Sequence, residues 1–70
     1  MIQMIPVASS KISAVGYDYA RSELFVRFQN GCTYKYSDVP SEKYSNLLVS
    51  DSKGTYLENH IIGDHYHRPA

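Results

Sequence analysis

Seventy residues are the length of one small domain, and a single domain is the expectation. Seven basic residues balance seven acidic ones, which excludes the broad pull on polyanions that a basic stripe confers, and the single cysteine, Cys32, excludes an internal disulfide. A chain this short buries only ~60% of the surface its unfolded form exposes, so contact with further copies is the expected extra source of burial and a homo-oligomer is the expectation.

The first ten residues, MIQMIPVASS, have neither a charged start nor a long apolar centre, so they do not read as a signal peptide. No run of ~18 apolar residues is present to span a membrane, and a cytoplasmic protein is the expectation. Residues 1–6 read as an N-terminal arm, extended at Pro6. SSKISAVGYDY then alternates Ile12, Ala14 and Gly16 against Lys11, Ser13 and Val15, the period of a strand. Turn residues follow in YDYARSE, a second strand in ELFVRF, a turn at QNG and a third strand in CTYKYS.

The register of this hairpin decides which side chains share a face. A two-residue Asn30-Gly31 turn sets Gln29 opposite Cys32 and mixes Leu24, Val26 and Phe28 with Thr33 and Lys35. A three-residue loop with Gly31 in the left-handed region places Phe28 opposite Cys32, Val26 opposite Tyr34 and Leu24 opposite Tyr36. Those six then form one apolar face, and Phe25, Arg27, Thr33 and Lys35 form the other. Burial penalises the mixed arrangement, so the bulged register is expected.

Pro40 fits a first helical position, with Glu42 adding negative charge to the first turn. Tyr44, Leu47 and Leu48 fall at i, i+3 and i+4 and form a stripe to cover the sheet. A second short helix is expected over residues 52–61, where Leu57 and Ile61 are four apart, although Gly54 weakens its start. Residues 64–70 read as an irregular tail. The fold class expected is α+β: a three-stranded antiparallel β-meander packed by one or two short helices.

Several pieces stand in a particular order: Ser9-Ser10-x-Ile12, Gly16-Tyr17-Asp18, Leu24 to Asn30-Gly31, Tyr34-Lys35-Tyr36, Val39-Pro40, and Ser52 to Tyr56. The ordered set resembles the KTSC domain family over residues 7–66, and Tyr34-Lys35-Tyr36 matches its central Tyr-x-Tyr mark. That family is named for its place at the C-terminus of some lysyl-tRNA synthetases and also occurs as small free-standing bacterial and phage-type proteins. The resemblance implies the fold more strongly than an activity, and the synthetase context suggests RNA binding.

The candidate binding residues are Tyr34, Lys35, Tyr36, Arg27, Ser52, Lys53, Tyr17, Tyr56 and His65. Tyr34 and Tyr36 are first of all packed-face residues, yet a tyrosine at the rim of a core also offers a ring for stacking. Arg27 and Lys35 beside Phe25 rank as a solvated face, then an oligomer contact, then a phosphate site. Ser52 and Lys53 stand where a helix starts, and helix N-termini present N–H groups to phosphate; ordinary capping ranks above that use, and the rest of a P-loop is missing. His60, His65 and His67 have no zinc-like spacing, so no metal and no cofactor are expected. Cys32 reads as a small buried hydrophobe. Nothing resembles a catalytic constellation, and an enzyme is not expected.

Three binding functions remain. The first is a non-catalytic module for a small nucleotide, in the manner of an oligomeric phage-type sponge for a cyclic nucleotide signal. It needs only a few cations, rings to stack on and hydroxyls to orient the ligand. The second is an RNA-binding accessory domain, as the synthetase context suggests. The third is a protein-interaction module using the Phe25 face or an open sheet edge.

Overall fold

The computed structural model describes residues 2–70. Its centre is an antiparallel sheet of five strands in the order β1-β2-β3-β4-β5: Ile5–Pro6, Ile12–Asp18, Glu23–Phe28, Thr33–Tyr36 and His67–Pro69. Two helices, α1 (Ser41–Val49) and α2 (Lys53–His60), lie between β4 and β5 in the chain. The α+β class and the central meander agree with the sequence, but the strand count does not: the sheet has five strands, not three.

The two extra strands come from the segments read as arm and tail. Ile5 pairs with Val15 and Pro6 with Ala14, while Tyr34, Lys35 and Tyr36 pair with Pro69, Arg68 and His67. Both are too short to show alternation in sequence, and only pairing with a neighbour makes them strands. Each outermost strand carries a proline, which lacks the N–H needed to continue a ladder and blunts that edge.

The β3–β4 hairpin takes the bulged register. Leu24 opposes Tyr36 and Val26 opposes Tyr34; the Phe28 N–H donates to Cys32 O at 2.8 Å, and Gly31 sits at φ +90°. The Asn30 side chain accepts from the Cys32 N–H at 3.0 Å and completes the loop. Cys32 itself is exposed, contrary to the reading of it as a buried hydrophobe. It stands at the mouth of the loop, past the last covered position of the strand.

Strand β2 also departs from simple alternation. Its register with β3 shifts between Ile12 and Ala14, so the parity of core residues changes across Ser13. Ile12, Val15 and Tyr17 therefore enter one core, joined by Leu24, Val26 and Tyr36, and Ala14 and Gly16 turn to the outer face instead of sharing Ile12's. Gly16 is needed there: a Cβ on it would lie 2.8 Å from Ile2 Cγ2 and 2.9 Å from Gln3 O, so residues 2–4 cross the sheet where the side chain is absent.

Helix α1 begins one residue later than read, with Pro40 as its N-cap at φ −61° and ψ 146°. Tyr44 and Leu47 are buried under it, and Leu57 of α2 with Ile61 closes the same core, together with Val39. This helical cover leaves the other sheet face, with Phe25, Arg27 and Lys35, outside the core.

Candidate functional site

The rings fall into two groups at opposite ends of the core-side face. At one end Tyr17 stacks on Tyr44 with centroids 5.1 Å apart, Tyr19 meets Tyr17 edge-on at 4.7 Å, and the Tyr17 hydroxyl donates to Val39 O. Tyr36 lies in the same buried set, and burial pushes its hydroxyl pKa up, with Tyr34 adding to the effect. Burial likewise raises Tyr44, with a smaller contribution from Tyr19. At the other end Phe28 and Tyr34 meet edge-on at 5.9 Å and stay half-buried.

Phe28 and Tyr34 line an open groove of about 410 Å³ together with Lys11, Gln29 and Asn30. A polar cleft of about 290 Å³ adjoins it, formed by residues 8–11 and 51–55. Lys11 lines both. The segment that carries it is shaped locally: Ser9 Oγ accepts from the N–H groups of Lys11 at 3.2 Å and Ile12 at 3.3 Å, turning the chain into β2. Gln29 ties groove to cleft by donating from Nε2 to Ser9 O at 2.9 Å and Ile12 O at 3.2 Å.

The far wall of the cleft is the start of α2. Ser52 gives no side-chain cap, and the first helical bond runs from the Tyr56 N–H to Ser52 O at 2.9 Å. The N–H groups of Lys53, Gly54 and Thr55 therefore have no acceptor within the helix. Gly54 lets the two walls close: a Cβ there would stand 3.0 Å from Lys11 Cδ and 3.3 Å from its Cβ. Lys11 Nζ reaches Glu58 Oε2 at 2.9 Å along the helix, and Lys53 Nζ donates to Ser50 O at 2.9 Å. Two lysines against Asp51 leave the lining with a small positive excess.

Of the residues singled out in sequence, the structure brings Tyr34, Ser52 and Lys53 into this region. Tyr17 and Tyr36 are sealed in the core, because α1 and the loop at Val39 cover their end of the sheet, so neither offers a ring to a ligand. Arg27 and Lys35 point to the opposite sheet face, since neighbouring strand residues alternate. There Lys35 pairs with Glu23 at 3.7 Å and Arg27 Nε approaches Thr33 Oγ1 at 3.4 Å. Tyr56 is half-buried with its ring 4.4 Å from that of His60. His65 is held by Lys43 Nζ at 2.8 Å and Ser37 O at 3.1 Å. Sequence reasoning missed Lys11, Ser9 and Phe28 as site residues; Ser-Ser-Lys before a strand is their only local signal.

A family model described as the KTSC domain matches residues 8–66. The chain belongs to the KTSC domain family. A relative from Tsukamurella paurometabola is 46% identical over 54 residues, which is 77% of this chain and 81% of that protein. An uncharacterized protein from Stutzerimonas stutzeri is 32% identical over 65 residues, 93% of this chain and 92% of its own. The crystal structure of a KTSC domain protein from Yersinia pestis superposes with a TM-score of 0.96 at 33% identity, covering 100% of this chain and 99% of that one. The five-stranded sheet with its helical cover is thus shared with a solved KTSC domain. Among the described residues, no helix is long and apolar enough to cross a membrane.

Proposed function

We propose that this KTSC domain is a non-catalytic binding module for a small phosphate-bearing nucleotide. One observation carries the reading: Lys11 is common to a polar cleft beside the free N–H groups of α2 and to a groove walled by Phe28 and Tyr34. A nucleotide has the same two parts in the same order, a phosphate end and a flat ring. The cleft supplies lysines, hydroxyls and backbone donors for the first. The groove supplies aromatic faces for the second, worth ~1–3 kcal/mol per stacked base. Sequestration of a nucleotide signal by an oligomer is the biological form this takes, and it asks for no catalytic group.

Calorimetric titration with linear and cyclic nucleotides, alongside light scattering for subunit number, tests the proposal. Saturable binding is expected, weakened about tenfold or more by Lys11→Ala or Tyr34→Ala, as loss of ~1.4 kcal/mol or more requires. Gly54→Ala is the sharper variant. Its Cβ crowds Lys11 at Cδ and at the backbone-fixed Cβ, so the Lys11 segment must give by a few tenths of an ångström. Alanine offsets part of that cost by favouring the helix by up to about 1 kcal/mol. Affinity should fall while the protein stays folded, as a cooperative melt checks. Lys35→Ala, on the other face, should leave the affinity unchanged. Absence of heat with every nucleotide removes the proposal.

A second reading has its own observation. Phe25, Lys35 and Arg68 form one cross-strand row on the outer face, with Arg27 beside it. Cations next to a ring suit a single-stranded RNA, whose binding would weaken steeply with salt. Pairing of a partner protein along an open sheet edge is disfavoured by the two edge prolines.

A further inference from the structure

We propose that the C-terminal strand β5 is held in place by a pH-sensitive pin, His65, which grips only while its imidazole is neutral. The geometry fixes the proton. Lys43 Nζ lies 2.8 Å from His65 Nε2 and also donates to His60 O at 2.8 Å. A lysine ammonium can only donate, so Nε2 must present its lone pair. The ring proton therefore sits on Nδ1, where it donates to Ser37 O at 3.1 Å. One neutral ring thus joins α1 to the loop after β4, and Lys43 carries the link on to the end of α2.

The segment it anchors is short. His65 N–H donates to Ile61 O at 3.1 Å, Ser37 N–H to Tyr66 O at 2.8 Å, and Ala70 N–H to Thr33 O at 2.9 Å. All three residues of β5 are exposed, so little apolar burial holds it. Protonating His65 removes the acceptor and sets two cations against each other. No carboxylate answers them: Asp38 and Asp64, next in sequence to Ser37 and His65, form no ion pair with His65 among the described residues. From α1 the facing group is Lys43; the His60 carbonyl at the end of α2 accepts from that same ammonium, and the His60 ring lies 4.4 Å from Tyr56 instead. From the loop after β4 it is the carbonyl of Ser37. Since the pin needs the neutral ring, acid that protonates the ring removes its hold. Release also withdraws His67, whose ring lies 5.6 Å from Tyr34, and so uncovers that tyrosine.

Nitrogen NMR of the ring and amide exchange of the strand test this without any ligand. At about pH 7.5 His65 should show the Nδ1–H tautomer; the Nε2–H tautomer overturns the proposal. Between about pH 7.5 and about pH 5, exchange at Ser37 and Ala70, corrected for intrinsic rates, should quicken about fivefold or more while core amides of β3 stay unchanged. His65→Gln, neutral at every pH, should abolish this difference, and His67→Gln should keep it. Equal corrected rates in the wild type overturn the pin, as does a difference that survives in His65→Gln and vanishes in His67→Gln.

Discussion

At the Tyr17 end of the sheet, rings are stacked beneath α1, and the Tyr17 hydroxyl is spent on Val39 O. At the Phe28 end, Phe28 and Tyr34 lie half-buried beside Lys11, with the loop Gln29-Asn30 as their rim. Both ends use the same residue types on the same face. What differs is the cover: α1 brings Tyr44 and Leu47 over one end, whereas the hairpin loop rises past the other and leaves it open. A ring near a motif therefore says little about binding until the element above it is known.

Removing the cover should give the largest effect. Leu47 has no exposed surface, and Leu47→Ala leaves a hole between α1 and the sheet. The expected cost is about 2–5 kcal/mol. A domain of this length has roughly 4–10 kcal/mol in total at the usual stability per residue, so the loss is a large fraction of the whole and urea unfolding should show a midpoint well below that of the wild type. A loss under about 1 kcal/mol would mean that α1 does not seal this end.

A matched pair of substitutions then compares the two ends directly. Tyr17→Phe removes the donor to a buried carbonyl and should cost about 1 kcal/mol or somewhat more in thermal or urea unfolding. Tyr34→Phe removes a hydroxyl that makes no hydrogen bond within the protein among the described residues and should change stability by less than about 0.5 kcal/mol. Equal losses would erase the distinction between a sealed and an open end.

The parts of this arrangement that were legible in sequence are those decided by burial over a short span. The bulged hairpin register followed from asking which pairing keeps Leu24, Val26 and Tyr36 together, and both helices followed from spacing and Pro40. Strand β2 was harder, because the bulge at Ser13 changes parity and makes Val15 and Tyr17 core while Gly16 faces out. Strands β1 and β5 have no pattern of their own; each exists only through a neighbour distant in the chain. The site was legible in part for the same reason. Ser52, Lys53 and Tyr34 are marked by a helix start and by a motif, but Lys11 acquires its role from α2, with Glu58 lying 47 residues away. Tyr17 and Tyr36 look like ligand rings in the chain because α1's cover over them is a tertiary fact.

The smallest expected effect is on alkaline stability, and it separates the ends by ionisation. Tyr36 and Tyr44 both have hydroxyl pKa values raised by burial, with Tyr34 and Tyr19 as lesser causes. An unfolded tyrosine loses its proton near pH ~10. Below that pH both states are neutral and the raised values cost nothing. Above it the unfolded chain gains the favourable ionisation while the folded chain resists it, so stability falls as pH rises from the unfolded value through the folded one. Melting temperature should therefore be level up to about pH 10 and decline beyond it. Tyr36→Phe and Tyr44→Phe should each flatten that decline. A decline that is steepest in Tyr36→Phe would place the sensitive tyrosine outside the sealed end.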